Sequence, residues 1–493
     1  MTLASCAVAA VVYALHGFDG YLSRDLGVYS YGGQQVAEGV PPYDAIVNRA
    51  GPLAHLIPGA GVIVSRWVGL DDIFGMRLLF LVISVACIGL VQVLGRDIFK
   101  SRLAGIASAA ALLCFAGFIE YASNGPREKT AMVLFVICAL LATAHQHWAT
   151  TGFFIALATL TWQPVFLAAF AGTVVAILLG LDSGRIRALV RVAVGGIVPT
   201  VVTAAAYTLV SDLQVFLDDF WIINARYTEQ ISLLSAPREA WELMVTGYGP
   251  SLWAVIAGSL ALLALATVAL VRRSGRRDPL SAALVAQAVM FVVGILWSMK
   301  AFNGWPDIFF LLPSAALGIG GVAALLARRV PGRVAVAATL AWVVAATALA
   351  LDYSVTERDH RLADQRDSVA TVLAALPEGS RILSVEAPQP LVIAHERNLS
   401  RLQLFGNGLI DYVDDTWPGG SDGYGRWVGR QEPAAIALGG GSHPSWLEGV
   451  LVADYEEMAS APGWTWYIRK DVGEDTLRAL RSAFLAQSAG AEG

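Results

Sequence analysis

Apolar residues gather in runs at 3–16, 77–94, 103–119, 131–144, 152–162, 164–180, 189–210, 251–271, 279–297, 308–327 and 334–351. A membrane-crossing helix needs about 20 mostly apolar residues, so the pattern predicts eleven spans. The pair 152–162 and 164–180 is parted only by Gln163-Pro164, which fits two short helices meeting at a turn or one kinked element. Residues 3–16 lack a basic stretch before them and a small-residue cleavage motif after, so they read as a retained first helix. The stretch 53–69 is apolar but carries His55, Pro58 and Arg66, and reads as a helix lying at the membrane interface, with a shorter amphipathic stretch near 28–38. Beyond residue 351 the pattern changes. RILSVE (381–386), LVIAHE (391–396), AAIAL (434–438), GVLVAD (449–454) and TWYIRK (465–470) read as strands, and 359–376, 421–431 and 474–485 as helices.

Composition agrees with this division. The chain is 56% hydrophobic and 15% charged, against roughly 25% charged in ordinary soluble proteins. Residues 1–351 carry 40 charges and 352–493 carry 33. We therefore expect an all-α polytopic membrane region over 1–351, with a long first loop at 17–76, followed by an α/β domain over 352–493. The net charge of −5 gives no basic field to gather nucleic acid. Loops at 95–102, 145–151, 181–191, 272–278 and 328–333 hold thirteen basic residues, and the alternating loops at 120–130, 163, 211–250 and 298–307 hold five. The positive-inside rule makes the first set cytoplasmic, which places the N-terminus inside and the C-terminal domain outside a plasma membrane. On this topology RRSGRR (272–277) is a cytoplasmic anchor. The four cysteines, Cys6, Cys87, Cys114 and Cys138, lie in or beside apolar runs and offer no disulfide framework.

The middles of the spans hold almost no charge, which argues against an ion-coupled carrier. Charge and aromatics concentrate instead in three outer segments: 17–33, EYASNGPREKT (120–130) and SMKAFNGWPD (298–307). Asp25, followed by Tyr29, Tyr31 and the PPY ending at Tyr43, suits a general base beside rings that stack on sugar. The same position also suits a loop acid or helix N-cap. Glu128, between Arg127 and Lys129, fits a second active-site acid or a carboxylate favoured by a helix start. Lys300, near Trp305, fits a phosphate ligand or a snorkelling interfacial residue. His145 and His147 have no carboxylate or cysteine near them in sequence and read as a loop. Gly439–Gly441 reads as a turn, and Asp218 and Asp219 as loop acids, with acceptor or metal binding as the alternative.

In the order of these features the chain resembles the polytopic C-type (GT-C) glycosyltransferases, including bacterial protein mannosyltransferases and aminoarabinose transferases. The resemblance rests on Asp25 to Tyr29 after the first span, EGVPPY (38–43), the Pro-led helix at 52–69, Gly75 and Arg77, Arg127-Glu128, and Trp162-Gln163-Pro164. Two departures are Asp25-Leu26, where well-known relatives have adjacent acids, and KAFNGWPD, where some have Lys-Gly-Trp followed by Tyr-His. The resemblance implies transfer of a sugar, with inversion, from a polyprenyl-phosphate donor to an envelope glycan, glycolipid or protein. It implies Asp25 as base, Arg127 and Lys300 on the donor phosphate, Glu128 positioning one of them or the acceptor, and Tyr29, Tyr43 and Trp305 against substrate. Relatives using monophosphate donors often need no metal, so no cofactor is expected, with a divalent ion left open. A lipid flippase or transporter, and a non-catalytic envelope assembly protein, are the alternative classes.

Overall fold

Among the described residues six helices are long and apolar enough to cross a membrane: Asp72–Phe99, Arg185–Val210, Pro237–Val271, Pro279–Lys300, Trp305–Arg329 and Gly332–Thr356. Arg102–Leu113 and Ala116–Asn124 form a pair bent by 71°, which makes seven if it counts as one broken span. The chain is a multi-pass membrane protein. The structure is a computed structural model that describes residues 2–229, 237–272, 278–441 and 443–491. Against the expected count of eleven, six or seven full-length spans are found among the described residues. The other four apolar runs form the shorter helices Thr2–Leu15, Glu128–Ala144, Trp148–Thr159 and Val165–Gly180. At 1.5 Å per residue, a helix of 12 residues is about 18 Å long, well short of the roughly 30 Å apolar core of a bilayer. The Gln163-Pro164 break separates two helices, and Pro164 is the N-cap of the second. Most of RRSGRR, residues 273–277, lies outside the described residues.

The residues group into two compact units. The first holds Met1–Phe18, Arg77–Ala206 and Gln230–Arg358, and the second holds Asp19–Met76, Tyr207–Glu229 and Asp359–Gly493. This grouping differs from a single cut at residue 351, because 19–76 and 207–229 join the C-terminal residues. In the first unit, helices approach at glycines. A Cβ on Gly318 would stand 1.8 Å from the Gly258 carbonyl oxygen, and one on Gly152 would stand 1.8 Å from that of Val192. Association inside lipid has no hydrophobic drive, so close backbone contact through small residues supplies the packing.

The second unit is built on a four-stranded sheet: β1 (Ile382–Val385), β2 (Ala435–Leu438), β3 (Tyr455–Ala461) and β4 (Trp464–Arg469), in the order β1-β2-β4-β3. β1 and β2 are parallel, with Ile382 opposite Ala435, while β4 runs antiparallel to both β2 and β3. Gly463, at φ +101°, makes the tight β3–β4 turn that an L-side chain would resist. Leu383, Val385, Ile436, Tyr424, Leu447 and Tyr467 belong to the core beside the sheet. Two expected strands are helices. LVIAHE falls in Gln389–Ala394, where Pro390 sits in the first turn that tolerates it, and GVLVAD falls in Ser445–Asp454. Strand β3 was not expected, because YEEMASA has exposed polar positions on an edge strand paired on one side only.

The helix Arg24–Ala37 packs on Leu53–Val68 through Gly32, Gly33 and Gly59, where added Cβ atoms would come within 2.7–2.9 Å of His55, Pro58 and Val36. These two helices fall on the expected 28–38 and 53–69 stretches. Hydrogen bonds tie the first of these helices, and Leu22 just before it, to the C-terminal residues of the same unit. The Asn398 amide donates to the Tyr31 hydroxyl at 3.0 Å, and Gln365 bonds both backbone groups of Leu22.

Candidate active site

In the first unit the bent pair ends at Asn124, and a cis Gly125-Pro126 bond leads to Arg127, the N-cap of Glu128–Ala144. Glu128 in the first turn is the position where a helix favours an acid. Its side chain is only 3% exposed and contacts two cations, Arg127 at 3.3 Å and Lys129 at 3.4 Å. Lys129, 7% exposed, makes its shorter contact to Asp307, 4% exposed, at 2.7 Å. Two positive and two negative groups are thus buried together. A buried charge is tolerated only when paired in this way. Aromatic rings close over the cations. Arg127 lies 5.4 Å from the Tyr121 ring centre and Lys129 lies 5.1 Å from that of Trp162.

Trp305, after Gly304 at φ +151°, stacks on Tyr121 with centroids 5.1 Å apart and 14° between planes. The Asn303 amide donates to the second Asp307 oxygen at 2.7 Å. Lys300 ends the helix Pro279–Lys300, is exposed, and lies 5.9 Å over the Trp297 ring. Of the residues expected in this unit, Arg127 and Glu128 meet directly, Trp305 meets Arg127 through Tyr121, and Lys300 is near Trp297. Lys129 and Asp307 were not chosen from sequence. The available signal was that 120–130 and 298–307 each carry both signs of charge.

In the second unit, Asp25 sits in the first turn of Arg24–Ala37, where Ser23 caps by accepting from the Leu26 amide at 3.4 Å. It is 42% exposed and 3.5 Å from Arg24. Arg24 bonds Glu386 at 2.6 Å, and Glu386 accepts from the amides of Phe405 and Gly406. Arg49 donates to the carbonyls of Gly406 and Asn407 at 3.2 and 2.6 Å. Burial and the nearby Arg24 charge lower the Arg49 pKa. Tyr29 is buried on the same helix as Asp25. Tyr43 is fully buried, stacks on Tyr207 at 6.1 Å, and donates its hydroxyl to the Ala50 carbonyl at 2.7 Å, so its ring is core.

Asp219, read from sequence as a loop acid, is fully buried. It accepts from the Asn48 amide at 3.1 Å and from Arg401 at 2.7 Å. Burial pushes its carboxyl up to about 7, against the opposing pull of Arg401 and the Asn48 amide. The Asn48 side chain lies 2.8 Å from His55 Nε2, and burial lowers the His55 pKa to about 4, which keeps the ring neutral. At Asp359 burial is outweighed by hydrogen bonds from Arg361 and the Tyr21 amide, which bring its pKa to about 2. His145 does have a carboxylate beside it, Asp97 at 3.1 Å, a pairing that sequence separation concealed. Among the described residues no three His, Cys, Asp or Glu side chains converge as a metal site.

No family model matches the sequence, and no curated protein matches it. Solved structures do match. ArnT from Cupriavidus metallidurans in the apo state aligns with TM-score 0.67 at 14% identity, over 94% of this chain and 97% of that one. The same protein bound to undecaprenyl phosphate aligns with TM-score 0.67 at 13% identity, over 96% and 98%. The Archaeoglobus fulgidus oligosaccharyltransferase tethered with an acceptor peptide aligns with TM-score 0.54 at 13% identity, over 95% of this chain and 74% of that one. These likenesses extend over nearly the whole chain, and at this identity they speak of architecture alone: the chain has a GT-C-like fold.

Proposed function

We propose that the chain is an integral-membrane glycosyltransferase that moves a sugar from a polyprenyl-phosphate donor to a cell-envelope glycan, glycolipid or protein, with inversion. The observation that carries this reading is the buried Arg127–Glu128–Lys129–Asp307 cluster roofed by Tyr121, Trp162 and Trp305. Its support is the shared fold with ArnT, whose structure was solved with undecaprenyl phosphate. As the sugar departs, the leaving phosphate gains charge, and fixed cations stabilise that charge more in the transition state than in the ground state. Arg127 and Lys300 take this role, and Glu128 orients the Arg127 guanidinium. Asp25 removes the proton from the acceptor hydroxyl, a role open to a half-exposed carboxylate 3.5 Å from Arg24. Trp305 offers a ring face to the sugar. Tyr29 and Tyr43, both buried, support the second unit from within.

The reading places the protein in the plasma membrane, with a cytoplasmic N-terminus and an extracytoplasmic C-terminal region, and makes no demand for a metal. The test is a panel of radiolabelled polyprenyl-phosphate sugars offered to the purified full chain and to Asp25→Asn. Transfer from one donor, reduced roughly 10²–10⁴-fold in the variant, is expected. Wild-type rates in Asp25→Asn would remove Asp25 as the base. Failure of the wild type with every polyprenyl-phosphate donor would remove the donor class.

A further inference from the structure

The four buried charges form a closed circuit with the turn that carries Trp305. From Asp307 the contacts run to Lys129 at 2.7 Å, on to Glu128 at 3.4 Å, and to Arg127 at 3.3 Å. From Arg127 they continue to the Tyr121 ring at 5.4 Å and to Trp305 at 5.1 Å, two residues from the starting acid. Asp307 uses both oxygens. One holds the Lys129 ammonium and the other accepts the Asn303 amide, so a single carboxylate fastens the turn at 301–304 to the first turn of Glu128–Ala144.

Burying two ion pairs is a weak route to stability, because desolvation offsets most of the attraction and apolar residues of similar volume do as well. Ion pairs do fix direction. Lys129 lies closer to Asp307 than to Glu128 by 0.7 Å. The second Glu128 oxygen is aimed at Arg127, where it makes an ion contact and no hydrogen bond of its own.

We propose that Asp307 is a positioning residue for the transfer reaction: by holding Lys129 and the Asn303 amide together, it fixes the orientation of Arg127 and of the Trp305 ring. Asp307 acts through Lys129 and Glu128 and does not itself meet the donor. The inference rests on the reading of Arg127 as a phosphate ligand. It adds that the spacing of the cluster is set from residue 307, which lies 178 positions from Lys129 in the chain.

The experiment compares the full chain in lipid nanodiscs with Asp307→Asn and with the paired variant Lys129→Met/Asp307→Leu. The paired variant leaves no buried charge stranded. Three quantities are read: melting temperature, donor KM and kcat together with the Kd for undecaprenyl phosphate, and hydrogen exchange at amides 301–305. The paired variant is expected to melt close to wild type, to raise donor KM and Kd at least tenfold with a smaller change in kcat, and to lose protection at Asn303. Asp307→Asn, which keeps an acceptor for that amide, is expected to retain the protection while still raising KM. A merely structural pair would move the melting temperature and leave KM alone, and that result would overturn the proposal. Unchanged protection at Asn303 in the paired variant would overturn it as well. If the wild type itself fails to bind undecaprenyl phosphate, the phosphate reading of Arg127 falls, and the exchange data still report separately on whether Asp307 holds the turn.

Discussion

Asp219→Asn offers a test in which the sign of the effect changes what is measured at each pH. In the folded chain the Asp219 carboxyl is pushed up to about 7, from 3.8 when exposed. A raised folded pKa means that stability is full below the unfolded value and is lost as pH rises through the folded one. Over the two units from pH 5 to pH 7, at 1.36 kcal/mol per unit, the loss is about 3 kcal/mol. His55, joined to the same Asn48, works in the opposite direction. Its pKa falls from 6.5 to about 4, so its contribution is full above 6.5 and shrinks on acidification, by about 2 kcal/mol at pH 5. The two nearly cancel in the wild type, which should show a shallow stability profile between pH 5 and pH 8. In Asp219→Asn the carboxyl no longer titrates, so the His55 slope stands alone. The part of the substitution's cost that does not titrate shifts both conditions equally, and Arg401 is partly exposed and can turn to water. Thermal unfolding in detergent at pH 5 and pH 8 measures the difference. At about 2–4 °C per kcal/mol for a unit of 150–250 residues, the variant should gain roughly 6–12 °C on the wild type between the two conditions. A gain under about 2 °C, or one of opposite sign, would refute the assignment of Asp219 as a buried acid titrating near neutrality.

Two further outcomes follow from the geometry. Gly318→Ala should lower stability by about 1–3 kcal/mol or more, because its Cβ would stand 1.8 Å from the Gly258 carbonyl oxygen, while Gly332→Ala, with nothing within 4 Å, should be neutral; equal melting temperatures for the two variants would contradict the helix contact. Sugar transfer should proceed at an unchanged rate in EDTA, and a loss restored by added magnesium or manganese would show that a divalent ion takes part.

Legibility from sequence followed the range of the interaction that decides each feature. The long spans could be read because each satisfies its own backbone and needs only apolar side chains. Arg24–Ala37 was visible in part as an amphipathic stretch, and Leu53–Val68 as an apolar run interrupted by His55, Pro58 and Arg66. LVIAHE and GVLVAD misled because a short apolar run suits a buried strand and a buried helix equally, and packing made the choice. Asp25, Arg127 and Glu128 stood out as rare charges beside apolar runs. Lys129 and Asp307 became a pair only on folding, since each has its partner 178 positions away. Tyr43 looked like a sugar platform beside two prolines, but its ring neighbours, Tyr207 and Phe216, come from a segment more than 160 residues later and make its ring part of the core.

The second unit is assembled from three separated stretches of chain, and this bears on how the protein is made. Leu22 finds Gln365 across 343 positions, and Tyr31 finds Asn398 across 367. At roughly 5–20 residues per second, a ribosome needs about 20–70 s to supply the later partners. Through that interval the helix Arg24–Ala37 lacks the hydrogen bonds that join it to Asn398 and Val392, and a membrane surface or a chaperone must shelter its apolar face. A fragment cut at residue 352 would leave Gln365 and Asn398 without the partners that the early chain provides.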